Sequence, residues 1–463
     1  MWRHRVIGSL LAMVILGAAA GCTSGGASTA PAPGAGPTSG AGAPASASAP
    51  ASATAGSAAA ASGAGLAAPG CSAATAAGPR LSSAGTATLP TTGDPFGLAV
   101  TPDGRWAFAV SSEATSVEVF RLGNGTASAP AVTAVRTISL VSPTVSSLLG
   151  GTITPNGKYL LVAEGSGALV VSVADAEAGA PDLVLGALTV PARAQGQGGA
   201  PGSAIEVAVS ADSRFAFVTL EYMDEAVVFN LAGAIAHGFG ASDYVGAIPL
   251  GNAPVGLAVS PDGRWLYATS EGTVGGQRPV GLGSPGTCDG AVPSTVKGEP
   301  PGTLTVISLP RAETDPARSV TVTVDAGYQP VRVVTAADGT QVWVTARASD
   351  DVLCFSAERL ASDPSRALTA VARVGSEPVG LEAVRGGTLL VVADSNRFGA
   401  SGENSALTVV SVAAALAGRP AVLGNLVTGL FPRDMALSSD GTLLVSDFSA
   451  SQVQAVNTAR LPE

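Results

Sequence analysis

The sequence predicts an all-β fold: a seven-bladed β-propeller of four-stranded antiparallel blades, with the last blade closed by an N-terminal strand. Three observations carry this. A unit of about fifty residues recurs along the chain. Each unit holds four strand-like runs, and one further strand-like segment precedes the first unit without partners of its own. The clearest copies are Pro95-Phe96-Gly97-Leu98-Ala99-Val100-Thr101-Pro102-Asp103-Gly104-Arg105-Trp106 and Pro254-Val255-Gly256-Leu257-Ala258-Val259-Ser260-Pro261-Asp262-Gly263-Arg264-Trp265. Weaker copies contain Thr154-Pro155-Asn156-Gly157, Ser210-Ala211-Asp212-Ser213, Ala336-Ala337-Asp338-Gly339 and Ser438-Ser439-Asp440-Gly441. A degenerate seventh copy has Pro378-Val379-Gly380-Leu381 and a turn near Gly386-Gly387.

Within a unit the elements follow from local chemistry. A short apolar strand (256–260) meets a Pro-Asp-Gly turn, whose residues supply a fixed φ and then a positive one. A second strand, Trp265-Leu266-Tyr267-Ala268-Thr269, is aromatic and β-branched, as strands prefer. A third (304–307) and a fourth (319–324) alternate apolar and polar residues. The fourth unit is stretched by an insertion over 273–301. The last unit reaches Val453-Gln454-Ala455-Val456 and then lacks an outer strand. Residues 85–89 are predicted to supply it, closing the ring and covering an edge that would otherwise pair with other chains.

The propeller is predicted to span 81–463. Ahead of it, 1–21 read as an export signal: Arg3 and Arg5 precede an apolar run (6–16) too short for a comfortable membrane span, and small residues follow up to Cys22. Those small residues before a cysteine resemble the lipobox of bacterial lipoproteins, with Ala19 where leucine is the commoner residue. The resemblance implies lipidation of Cys22 and an anchor at the extracellular face of the cell membrane. The alternative is cleavage around Ala18-Ala19-Ala20 and a free secreted protein. Residues 22–80 form a tether of Ala, Ser, Gly, Pro and Thr, uncharged from Thr23 to Pro79, without the apolar side chains that offset conformational entropy. Its root-mean-square reach is about 40 Å. Export permits a disulfide, and Cys288 with Cys354 is the preferred pair; Cys71 could pair instead or stay free.

The repeats, with Phe108-Ala109-Val110, Phe217-Val218-Thr219 and Trp343-Val344-Thr345 following their turns, resemble the YVTN-repeat (YncE-like) β-propellers and overlap the lactonase-like propellers. The resemblance covers 81 to the C-terminus and speaks to fold. For function it implies exported or surface proteins of varied activity, because the motif residues build turns and strands.

Composition narrows the chemistry. A formal charge of -10 argues against nucleic acid, which needs a basic footprint. With only two histidines, His4 in the leader and His237 in a Gly/Ala loop, a Ser-His-Asp triad or a histidine metal site lacks raw material. Aligning the repeats on their turns gives one column of Gly97, Gly150, Glu206, Gly256, Arg332, Gly380 and Asp434. Glycine there lets inner strands crowd the axis, and the three charges project to a common channel mouth. Loops between second and third strands, expected on the same face, carry Glu113, Glu164, Glu221, Glu271, Asp394, Asp447 and, in the fifth unit, Arg347.

Polar groups beside a water-filled channel can simply stay hydrated. The functional reading makes Glu206, Arg332, Asp434 and Arg347 ligand-binding residues. Glu206, Asp434, Glu164 and Asp394 are then the metal candidates, for a calcium-like divalent cation. The leading expectation is a monomeric, non-catalytic, surface-tethered propeller that binds a protein, a glycan or a small polar ligand at the channel mouth. The alternative is a metal-assisted, lactonase-like hydrolase at the same mouth. A third is a structural partner in an envelope assembly, making contact through the 273–301 insertion.

Overall fold

The computed structural model describes residues 78–81, 84–126, 129–140, 147–192, 203–275, 277–281, 300–397 and 405–463. The expected export signal, Cys22 as the expected lipidation site, almost all of the expected tether with Cys71, and Cys288 lie outside them. Seven four-stranded antiparallel sheets are described, each beginning with an inner strand: β2 (Pro95–Val100), β6 (Leu148–Ile153), β10 (Ala204–Val209), β14 (Asn252–Val259), β18 (Pro330–Thr335), β22 (Pro378–Val384) and β26 (Pro432–Leu437). Each inner strand touches the next, and β26 touches β2, so the ring is closed. The protein is a seven-bladed β-propeller.

Closure occurs as the sequence predicts. Strand β1 (Thr86–Pro90) is the outer strand of the seventh blade, pairing antiparallel with β28 (Gln452–Asn457) from Thr86↔Val456 to Pro90↔Gln452. The chain just before it is also engaged, since the Asn425 amide donates to the Pro79 carbonyl and the Leu81 amide to the Asn425 carbonyl.

The blades are held face to face. Seven apolar clusters each unite two neighbouring blades; one contains Phe108, Val119 and Leu148, another Phe229, Val207 and Leu161. A blade is therefore buried on both faces, and second strands such as β23 (Leu389–Asp394) read as nearly unbroken apolar runs instead of alternating.

The repeat motif builds the turns. The Thr101 hydroxyl donates to Asp103 Oδ1 at 2.6 Å and accepts from the Trp106 amide at 3.1 Å. Ser260, Asp262 and Trp265 repeat this at 2.5 and 2.9 Å. Gly104 and Gly263 take φ of 70° and 68°, which explains the glycine.

Two details differ from the sequence reading. In five blades the third strand runs into a short helix before the fourth: Val173–Ala178, Leu231–His237, Leu309–Ala312, Ala357–Ser362 and Val412–Leu416. His237 is thus the exposed last residue of a helix capped by Asn230, and not part of a loop. Cys354 is a free thiol, fully buried between the fifth and sixth blades, where burial pushes it up to about 12.

Candidate functional site

The axis is built from successive positions of the seven inner strands. Every inner strand carries a register shift in its first half, which takes amides out of the ladder. In the three charged blades a hydroxyl from the second strand takes up the orphan: Thr219, Thr345 and Ser446 accept from the amides of Glu206, Arg332 and Asp434 at 3.0, 2.9 and 2.9 Å. Counted from Pro95, Leu148, Ala204, Pro254, Pro330, Pro378 and Pro432, where the register shifts begin, the third position is the column of glycines and charges read from the sequence.

The charged three meet across the axis. Arg332 Nη1 donates to Glu206 Oε2, and Arg332 Nη2 donates to Asp434 Oδ1 at 2.8 Å. The second Asp434 oxygen accepts from the Leu98 amide at 2.8 Å. All three side chains are nearly enclosed, at 14%, 12% and 11% exposure for Arg332, Glu206 and Asp434. Burial opposes charge on Arg332, but Asp434 and Glu206 outweigh it and raise its pKa above the usual arginine value. Glu206 is pushed up by burial, against the attraction of Arg332.

The glycines serve a different contact from the one expected. A Cβ at Gly380 would lie 2.7 Å from the Arg433 carbonyl, and one at Gly97 would lie 2.9 Å from the Leu149 carbonyl. They relieve crowding against the next blade's backbone, not against the axis. Gly380→Val is expected to lower stability by about 1–3 kcal/mol, read as a fall in the urea midpoint with an unchanged slope; a neutral effect would contradict this packing.

The second position forms a plug. Phe96, Leu149, Ile205, Val255, Val331 and Val379 occupy it in six blades and form one apolar cluster with Phe431, which precedes the seventh inner strand, and with Phe448. Residues from opposite sides of a ring can touch only at its axis. This plug separates the charged triad from the loops joining second and third strands, because the loop acids sit level with the first position, as in Leu148↔Glu164 and Pro378↔Asp394. The expectation that triad and loop acids share one face is corrected: apolar side chains one position earlier block the channel between them.

On the other side of the triad is a cavity of about 410 Å³, lined by Leu98, Val207, Leu257, Val333, Leu381 and Met435 among others, with Glu206, Arg332 and Asp434 in its wall. It extends along the strands past Ile153, Val209, Val259 and Thr335, toward the Pro-Asp-Gly turns. Glu382 also lines it, pushed up to about 8 by burial and then by the charge of Asp434.

Of the remaining expected site residues, Arg347 lies on the loop side, donating to Glu271 Oε2 at 3.0 Å and to Gln329. Asp394 is buried and bonded by Thr408, with its pKa pushed up to about 8 by burial. Glu164 is partly buried, which raises its pKa. Asp447 is fully buried and accepts from Thr428 and Gln452, and Glu221 is buried, its pKa pushed up to about 7 by burial and then by Glu271. The loop acids are thus not all a hydrated rim. The four metal candidates are not brought together: Glu206 and Asp434 engage Arg332, while Glu164 and Asp394 lie beyond the plug. Among the described residues no group of three His, Cys, Asp or Glu is placed to hold a metal ion.

Two residues were missed. Glu382 occupies the fifth inner-strand position, where the other blades have Ala99, Thr152, Ala208, Ala258, Val334 and Ala436. Arg433 occupies the second position, otherwise apolar, and lies 3.5 Å above the Phe96 ring centroid; burial pushes it down to about 9. Each is the one charged residue in its column, a signal available from the same alignment that gave the triad.

Fold and site define a closed propeller with a plugged axis and one axial cavity described. No family model matches the chain, and no curated protein matches it. Among solved structures, hydrazine synthase from Kuenenia stuttgartiensis is similar at 15% identity and a TM-score of 0.56, over 81% of this chain and 98% of that one. A functionally unknown protein from Desulfotomaculum acetoxidans aligns at 14% identity and a TM-score of 0.47, over 74% and 88%. At such identities the likeness to hydrazine synthase is one of fold.

Proposed function

We propose that this chain is a non-catalytic binding propeller that takes a small ligand into its axial cavity. The observation that carries the reading is the cavity itself. It has aliphatic walls, a few convergent polar groups, and a floor of interlocked charges, the composition typical of small-molecule sites. The finer reading is an exported lipoprotein of the YVTN-repeat (YncE-like) kind, held outside the membrane by Cys22 and its tether. It rests on the repeat motifs and on the N-terminal sequence. Labelling with a radioactive fatty acid, lost in Cys22→Ser, tests the anchor.

The cavity is tested by thermal-shift screening against a panel of small amines, carboxylic acids and neutral alcohols. At least one class is expected to raise the melting temperature of the wild type. Thr335→Trp, which fills the cavity mouth, is expected to abolish that shift, and Tyr222→Ala on the loop side to leave it intact. A shift that survives Thr335→Trp and disappears in Tyr222→Ala would move the site to the loop face.

A further inference from the structure

Four charged side chains line the axial cavity, and three of them are already engaged with one another. Arg332 bridges Glu206 and Asp434, and the second oxygen of Asp434 is taken by the Leu98 amide. Glu382 is different. It sits two residues beyond Gly380, toward the turn end of the cavity; its carboxyl accepts from the Ala383 amide, but among the described residues it forms no ion pair or hydrogen bond with another side chain. The surrounding walls are aliphatic: Leu98, Val207, Leu257, Val333, Leu381 and Met435.

From this geometry we infer that the cavity selects small aliphatic primary amines, with the ammonium group on Glu382 and the alkyl body along the aliphatic walls. The inference rests on the axial cavity being the binding site. Charge favours it, since two carboxylates against one guanidinium leave the floor negative, and an ionised Glu382 adds to that. Arg433, at the plug position of the seventh blade and over Phe96, offsets part of this charge. A carboxylate ligand would face the carboxylates of Glu206 and Asp434. The lining has no aromatic side chain, so it lacks the cage that quaternary ammonium ions use. A primary ammonium instead offers three N–H donors to carboxyl oxygens.

Proton linkage gives a specific signature. The groups facing Glu382 are Asp434 on the seventh blade and Arg332 on the fifth, and burial with Asp434 keeps its carboxyl protonated at neutral pH. An alkylammonium, whose own pKa near 10 leaves it charged, must displace that proton. Binding therefore releases one proton at pH 7 and tightens as pH rises from 6 to 8.

The test is calorimetry with hexylamine, hexanol and hexanoate, in two buffers of different ionisation enthalpy. Hexylamine is expected to bind wild-type protein with release of about one proton, at least tenfold more tightly than hexanol and without competition from hexanoate. Glu382→Gln, nearly isosteric, is expected to weaken hexylamine at least tenfold and to abolish the proton release. Equal binding of hexylamine by Glu382→Gln, or binding without proton release, would overturn the assignment. If hexanol or hexanoate binds as tightly as hexylamine and Thr335→Trp abolishes it, the amine assignment falls while the cavity stands. If none of the three binds, amine selectivity is overturned; if the thermal-shift panel is also blank, the cavity reading falls with it.

Discussion

Arg332→Met is expected to cost about 3–5 kcal/mol at pH 7, the usual penalty for removing one partner of a buried ion group. The substitution keeps an unbranched side chain of similar length but leaves Glu206 and Asp434 facing each other without the guanidinium that bridges them, with the more distant Arg433 as the remaining countercharge. Both carboxyl groups are then driven to take up protons. A carboxyl whose folded pKa is raised above its unfolded value destabilises the fold increasingly as pH rises between the two values. The deficit of Arg332→Met relative to wild type should therefore shrink as pH falls from 7 toward 5. The combined variant Glu206→Gln, Arg332→Met, Asp434→Asn should recover most of the loss, because it removes the two carboxylates that Arg332 bridges together with Arg332 itself. Urea unfolding at pH 5 and pH 7 reads both effects. A cost below about 1 kcal/mol at pH 7 would mean that the triad behaves as a solvated surface pair.

The wild-type protein is expected to be more stable at pH 5.5 than at pH 8.5. Burial, reinforced by a neighbouring carboxylate, pushes Glu382 and Asp394 up to about 8 and Glu221 and Glu225 up to about 7. In the unfolded chain these groups titrate near 4. Between about pH 4.5 and 8 the folded state therefore holds more protons than the unfolded state, and stability falls as pH rises through that window. Each proton retained across one pH unit corresponds to about 1.4 kcal/mol. The acids whose pKa is lowered, Asp103, Asp262 and Asp338 in the turns, lie outside this window because they act at more acidic pH. Arg433, lowered to about 9, acts above it. Melting curves at constant ionic strength should show the fall, and Glu382→Gln with Asp394→Asn should flatten it. A melting temperature that rises from pH 5.5 to 8.5 would contradict the buried, protonated state of these acids.

The fold was legible because its determinants are local and repeated. Thr101, Asp103, Gly104 and Trp106 specify one turn by their own hydrogen bonds, and copies of that turn set the blade register. The partner of β1 was readable from an edge left open at β28. The triad was readable because Glu206, Arg332 and Asp434 interrupt a glycine column. The face to which the triad belongs was not, since the plug depends on Phe96, Val255 and Val379 meeting across the axis, and no single repeat carries that contact. The burial of Asp394 and Asp447 was hidden for a related reason. Their partners, Thr408, Thr428 and Gln452, come from neighbouring strands and loops. The short connecting helices lack the length for a periodic pattern, although Ser172, Asn230, Ser356 and Ser411 recur as their N-caps.

The central claim is that ligand enters the axial cavity from the turn end and stops at the Arg332 floor. The most direct measurement is a crystal soaked with a bromoalkylamine, with bromine located by its anomalous scattering. The account predicts bromine inside the cavity, between Thr335 and the floor, with the amine at Glu382. Bromine on the loop face beside Arg347 and Glu271, with the axial cavity empty, would contradict it.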